Sequence, residues 1–193
     1  MKICVYGAAS SQIDQEYMER VEELGREMVR RGHSLVFGGG AHGLMGAVAR
    51  GVRAEGGHIL GVIPKFFSEE SVEILFQSCD TVLHPDTMRQ RKQIMEENAD
   101  GFIVVPGGIG TFEEFFEILT LKQLCRHNKP IVLFNLKGYY DDLNHAILKA
   151  VDKNFIRKTC QTLYKVTDNL QELFQYLEAP EEASASVKDR KDG

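Results

Sequence analysis

The segment Val104-Val105-Pro106-Gly107-Gly108-Ile109-Gly110-Thr111-Phe112-Glu113-Glu114 leads from an apolar run through three glycines into helical spacing. Residues of these types in this order can hold an anion and move a proton beside it. Glycines without a Cβ let a phosphate approach the backbone. The unpaired amides and positive dipole end of the following helix then point at that phosphate. Gly107, Gly108, Ile109, Gly110 and Thr111 are therefore candidate binding residues, and Thr111 adds a hydroxyl. The G-x-x-x-x-G-K-[ST] loop of nucleoside triphosphatases does not occur, so a monophosphate ester is the better ligand. Glu114 has two readings. Its spacing from Thr111 is that of a capping box, on spacing alone the commoner meaning, in which the glutamate only closes the helix start. A carboxylate beside a phosphate turn can also act as general acid or base. Glu113 reads as a solvated first-turn acid.

A second segment, Asp86-Thr87-Met88-Arg89-Gln90-Arg91-Lys92-Gln93-Ile94-Met95, opens another helix, with Asp86 or Thr87 as N-cap. Cations so near a helix N-terminus oppose its dipole and cost stability unless an anion lies close. Met88, Arg91 and Met95 share one face, which sets Arg91 between apolar neighbours and marks it as functional. Arg89 reads as a solvated charge. Lys92 has the alternative of a surface ion pair with Glu96, worth only about 0.3–0.5 kcal/mol. Upstream, Gly38, Gly40 and Gly43 match G-x-G-x-x-G, but the next strand ends in Val62-Ile63-Pro64 without the acid that would hold a dinucleotide ribose. That turn is either a tight packing turn or a ligand contact. His42 within it reads as a loop residue.

Short β-rich runs must carry these turns: Ile3 to Tyr6, Ser34 to Phe37, His58 to Ile63, Thr81 to His84, Phe102 to Val105, Ile131 to Asn135 and Leu163 to Val166. Between them Tyr17 to Arg30, Leu44 to Glu55, Met88 to Asn98, Glu113 to Leu124, Asp142 to Lys153 and Leu170 to Leu177 have helical periodicity. Alternating strand and helix predict an α/β fold, a Rossmann-like doubly wound and mostly parallel sheet of about seven strands in one domain over 1–178. Ligands of such sheets bind beyond the carboxyl ends of the strands. Residues 179–193 have too little apolar surface to offset ordering entropy and are expected to be disordered.

With 193 residues, 43% of them hydrophobic, the chain is long enough for one sizeable core. A formal net charge of -5 and the lack of a long basic run argue against nucleic-acid or anionic-membrane partners and favour a small-molecule ligand. The four cysteines form no C-x-x-C pair, no apolar stretch approaches bilayer length, and the first residues read as a strand rather than a signal peptide. A cytoplasmic protein is expected. The six histidines are scattered without ligand spacing, so neither a metal nor another cofactor is expected.

Gly38-Gly39-Gly40 with Gly43-Leu44-Met45-Gly46, then Gly61-Val62-Ile63-Pro64, Thr87-Met88-x-x-Arg91-Lys92 and Pro106-Gly107-Gly108-x-Gly110-Thr111-x-x-Glu114, together resemble the LOG-type ("lonely guy") phosphoribohydrolase family in order and interval. The resemblance runs from about Ile3 to Tyr140. It implies a Rossmann-like fold, at least a homodimer, and hydrolysis of cytokinin riboside 5′-monophosphates, a purine nucleoside monophosphate class, to free base and ribose 5-phosphate. AMP or another nucleotide as substrate, or a carrier that binds nucleotide without cleaving it, are the alternatives. By position Arg91 and Glu114 match the family's catalytic pair. Met88, Lys92, the loop from Gly107 to Thr111, Thr120 and Glu73 match its substrate-binding positions. Arg89 stands where the family usually has histidine. The family often carries a lysine decarboxylase label, for which this sequence offers no pyridoxal-phosphate lysine motif and a domain of unusually small size.

Overall fold

The computed structural model describes residues 1–69 and 74–179. Glu73 and residues 180–193 of the expected tail lie outside the described residues. Seven strands, β1 (Lys2–Tyr6), β2 (Ser34–Phe37), β3 (Ile59–Val62), β4 (Thr81–Leu83), β5 (Gly101–Val104), β6 (Ile131–Phe134) and β7 (Lys165–Thr167), form one sheet in the order β4-β3-β2-β1-β5-β6-β7. Every pairing is parallel, so the mostly parallel expectation becomes an all-parallel sheet. Seven α-helices lie among the described residues: α1 (Gln15–Arg30), α2 (Gly43–Ala54), α3 (Lys65–Glu69), α4 (Met88–Glu97), α5 (Ile109–Gln123), α6 (Asp141–Asp152) and α7 (Leu170–Leu177).

The central strands β3, β5 and β6 are buried along their whole length, which is why they read as continuous apolar runs rather than alternating ones. One core includes Leu24 and Met28 of α1, Val48 of α2 and Phe174 of α7. The core on the other face includes Met95 of α4, Phe115 and Ile118 of α5 and Ile147 of α6. No helix among the described residues is long and apolar enough to cross a membrane.

Most boundaries move by one or two residues from the sequence expectation, and two of the shifts have a visible cause. β7 starts at Lys165 rather than Leu163, because Lys158–Thr162 curls into a 3-10 turn and Leu163 and Tyr164 are buried by their side chains rather than by ladder bonds. α5 starts at Ile109 rather than Glu113, with Gly108 as its N-cap, so the glycine turn merges with the helix. Strand order reverses between β1 and β5, whose neighbours β2 and β6 lie on opposite sides. Crossovers leave these two strands in opposite directions and open a crevice at their carboxyl ends.

Candidate active site

A cleft of about 650 Å³ occupies that crevice, with Tyr6 at the end of β1, Gly7 and Ser10 after it, Gly38 and Gly40 after β2, Met88 and Arg91 on α4, and Gly108, Gly110, Thr111, Glu113 and Glu114 at the start of α5 among its walls. The glycine turn is pinned from behind. Tyr140 donates its hydroxyl to the Val105 carbonyl at 2.6 Å, and Tyr139 donates to the Gly107 carbonyl at 2.7 Å. A Cβ at Gly107 would lie 2.1 Å from Oγ1 of Thr111, so only glycine lets that buried threonine fold back under the turn. The first intrahelical bond runs from the Phe112 amide to the Gly108 carbonyl at 3.0 Å. The amides of Ile109, Gly110 and Thr111 therefore precede the ladder and face the mouth of the helix. Gly108 and Gly110 have open space where a Cβ would stand, which leaves room for an anion.

The capping-box reading of Glu114 is overturned. Thr111 lies inside α5, and the N-cap, Gly108, has no side chain to cap with. Glu114 falls in the second helical turn, beyond reach of the N-cap amide. The capping box instead opens α4, where Thr87 accepts from the Gln90 amide at 3.2 Å and Gln90 accepts in return from the Thr87 amide at 3.2 Å. The Glu114 side chain lines the cleft. Burial pushes its carboxyl up to about 7; Arg91 and Lys92 oppose the rise, and Glu113 and Glu117 add to it. Such a group exchanges a proton near neutral pH.

Met88, Arg91 and Met95 all reach the cleft, as one helix face requires. Arg91 donates through Nη2 to the Gly38 carbonyl at 3.2 Å, and its Nη1 lies 3.8 Å from Sδ of Met88. Lys92 also lines the cleft but does not pair with Glu96. Its ammonium bridges Glu113 and, at 3.0 Å, Glu117, so it ties α4 to α5 on either side of Glu114. Burial pulls the Lys92 ammonium down, but the two carboxylates outweigh it and hold its pKa above the ordinary lysine value. Arg89 is exposed and is not among the cleft residues.

Three sequence candidates fall outside this cleft. Gly107 lines an adjoining small pocket of about 200 Å³ under Tyr139. Ile109 is 86% exposed, so only its backbone serves the turn. Thr120 is exposed on α5, about three helical turns from Ile109, and is absent from the cleft wall. Sequence reasoning missed Phe67, whose ring centroid lies 5.2 Å from the Arg91 guanidinium carbon. Its helix, α3, has five residues and no period to read.

A Schiff-base cofactor such as the decarboxylase label suggests does not fit. Among the described residues Lys92 is the one lysine lining the cleft, and its carboxylate partners hold it charged, whereas imine formation needs the neutral amine. Among the described residues no group of His, Cys, Asp and Glu could hold a metal ion.

The family model described as "Possible lysine decarboxylase" matches residues 45–177. A cytokinin riboside 5′-monophosphate phosphoribohydrolase of Arabidopsis thaliana is 41% identical over 177 residues, covering 92% of this chain and 82% of that one. A second from the same plant is 42% identical over 177 residues, with 92% and 81% covered. Among solved structures, the molybdenum cofactor binding protein of Rippkaea orientalis superposes with a TM-score of 0.69 at 20% identity over 92% of this chain and 94% of that one. The Moco carrier protein of Chlamydomonas reinhardtii gives 0.67 at 20% identity, with 92% and 94% covered. At that identity the likeness speaks for the fold alone.

Proposed function

This chain belongs to the LOG-type phosphoribohydrolase family, and from that membership we propose that it hydrolyses the N-glycosidic bond of a cytokinin-type purine nucleoside 5′-monophosphate to free base and ribose 5-phosphate. The observation that carries the reading is the meeting, in one cleft, of the Gly108–Thr111 amide turn, Arg91 and a carboxyl group that titrates near 7. The turn and Thr111 hold the phosphate and fix the sugar along α5. As the C1′–N bond lengthens, its electron pair leaves with the base and positive charge develops on the ribose. The Glu114 carboxylate stabilises that charge and takes a proton from the water that adds to C1′. Glu114 then releases that proton to solvent and the departing base takes one up from solvent, so one water is consumed and the carboxylate is restored. Arg91 keeps its proton and orients the nucleotide. Lys92, held by Glu113 and Glu117, keeps α4 and α5 in register and reaches substrate only by exchanging a carboxylate for phosphate.

A carrier reading has only the shared fold behind it and leaves unexplained why Arg91 and Glu114 line one cleft beside the glycine turn. AMP differs from a cytokinin nucleotide only at the base, so the choice between them rests on the cleft wall at Met88 and Met95. The test is equal release of base and ribose 5-phosphate from the 5′-monophosphate, with none from the matching nucleoside that lacks the phosphate.

The reading includes a homodimer and places the protein in the cytoplasm, where its four thiols stay reduced. α5 is apolar on two sides: Phe115, Ile118 and Leu119 face the core, while Phe116 and Leu124, 40% and 39% exposed, face outward with Thr120 between them. A stripe spaced by four residues suits a two-fold interface with a second copy. Thr120 then reaches a nucleotide held by the partner rather than by its own chain. Phe116→Glu is expected to halve the mass measured by sedimentation or light scattering; an unchanged dimer would remove α5 from the interface.

A further inference from the structure

We propose that Gly38 and Phe67 are positioning residues that together seat the Arg91 guanidinium in the cleft and leave its Nε–H for an acceptor atom of the substrate. This rests on the reading of Arg91 as a residue of nucleotide hydrolysis. A Cβ at Gly38 would stand 1.7 Å from Nη2 and 2.9 Å from Cζ of Arg91, so any other residue there displaces the guanidinium. The glycine is not needed for its backbone, because the next residue, Gly39, is the one with φ of +88°. The absent side chain at 38 therefore serves Arg91, and the Gly38 carbonyl accepts from Nη2 at 3.2 Å. Phe67, 8% exposed, supplies a ring face to the cation and is itself packed edge-on against Phe66 with centroids 5.0 Å apart. Met88 closes a third side through its sulfur. Nε of Arg91 is buried with no hydrogen-bond partner among the described residues. A buried charged donor without an acceptor is costly, and a site retains one where a ligand completes it. The first glycine turn thus serves the reaction through an arginine that comes from another strand–helix unit.

The test is a double-mutant cycle on the full chain with isopentenyladenosine 5′-monophosphate as substrate. Gly38→Ala is expected to lower kcat/KM by about a hundredfold, in the range for losing an oriented charged donor. Phe67→Leu is expected to lower it about tenfold and Phe67→Tyr, which keeps the ring, by less than about threefold. In the Arg91→Ala background neither Gly38→Ala nor Phe67→Leu has a further effect, because the group they seat is gone. Multiplying losses, or wild-type kinetics for Gly38→Ala, would overturn the seat. Should the wild-type protein cleave no nucleotide, the hydrolase reading fails and urea unfolding decides the seat separately. Gly38→Ala then lowers the midpoint with Arg91 present and not with Arg91→Ala, whereas equal shifts in both backgrounds would refute it.

Discussion

Replacing Glu114 by glutamine is expected to lower kcat for nucleotide hydrolysis by about a thousandfold or more while leaving nucleotide affinity within about threefold of wild type. Glutamine keeps the shape and a carbonyl oxygen but neither carries the negative charge that stabilises the oxocarbenium-like ribose nor accepts a proton from water. In the proposed mechanism phosphate recognition belongs to the Gly108–Thr111 amides and Thr111, which the substitution does not touch. The same variant separates this role from a structural one. A capping glutamate would lose stability in step with activity when replaced, but Glu114 caps nothing. Its carboxyl is raised from 4.5 to about 7 by burial, so the folded protein binds an extra proton there between those values. The group's contribution to stability is fully present below about 4.5 and is lost as pH rises through about 7. Glu114→Gln removes that dependence and should unfold at higher denaturant than wild type at pH 8, with little difference at pH 4. In the wild type the carboxylate is the active form, so kcat/KM is expected to fall as pH drops below about 7. Retained turnover in Glu114→Gln would remove the residue from the chemistry.

Arg91→Ala should reduce kcat/KM by about a thousandfold, with loss in both KM and kcat. The guanidinium is fixed by Gly38, Phe67 and Met88 before any substrate arrives, so its donors cost little reorganisation as charge develops. Arg91→Lys is expected to recover little of the loss, because an ammonium has no planar fork to lie on Phe67 while donating to Gly38. Steady-state kinetics with the same nucleotide check both variants, and wild-type values for Arg91→Ala would refute the assignment.

The sheet was legible because buried parallel strands are continuous apolar runs, and the helices because their apolar positions recur at helical spacing. Even the placing of Arg91 on the Met88–Met95 face followed from spacing alone. What could not be read were contacts between units distant in sequence. Thr111-x-x-Glu114 has the letters of a capping box, but the glycines before it adopt helix-start geometry early and shift Thr111 inside. Lys92 has Glu96 at pairing distance along its own helix, yet α5 brings Glu113 and Glu117 closer. The glycine at 38 looks like a turn residue until Arg91, 53 residues on, is seen to fill the space beside it.

The most direct measurement is to incubate the purified protein with isopentenyladenosine 5′-monophosphate and quantify free base and ribose 5-phosphate, with Glu114→Gln in parallel. The account predicts equimolar base and ribose 5-phosphate from wild type and intact, bound nucleotide in the variant. Nucleotide that binds to both proteins and is recovered uncleaved from both would contradict it and make the protein a carrier.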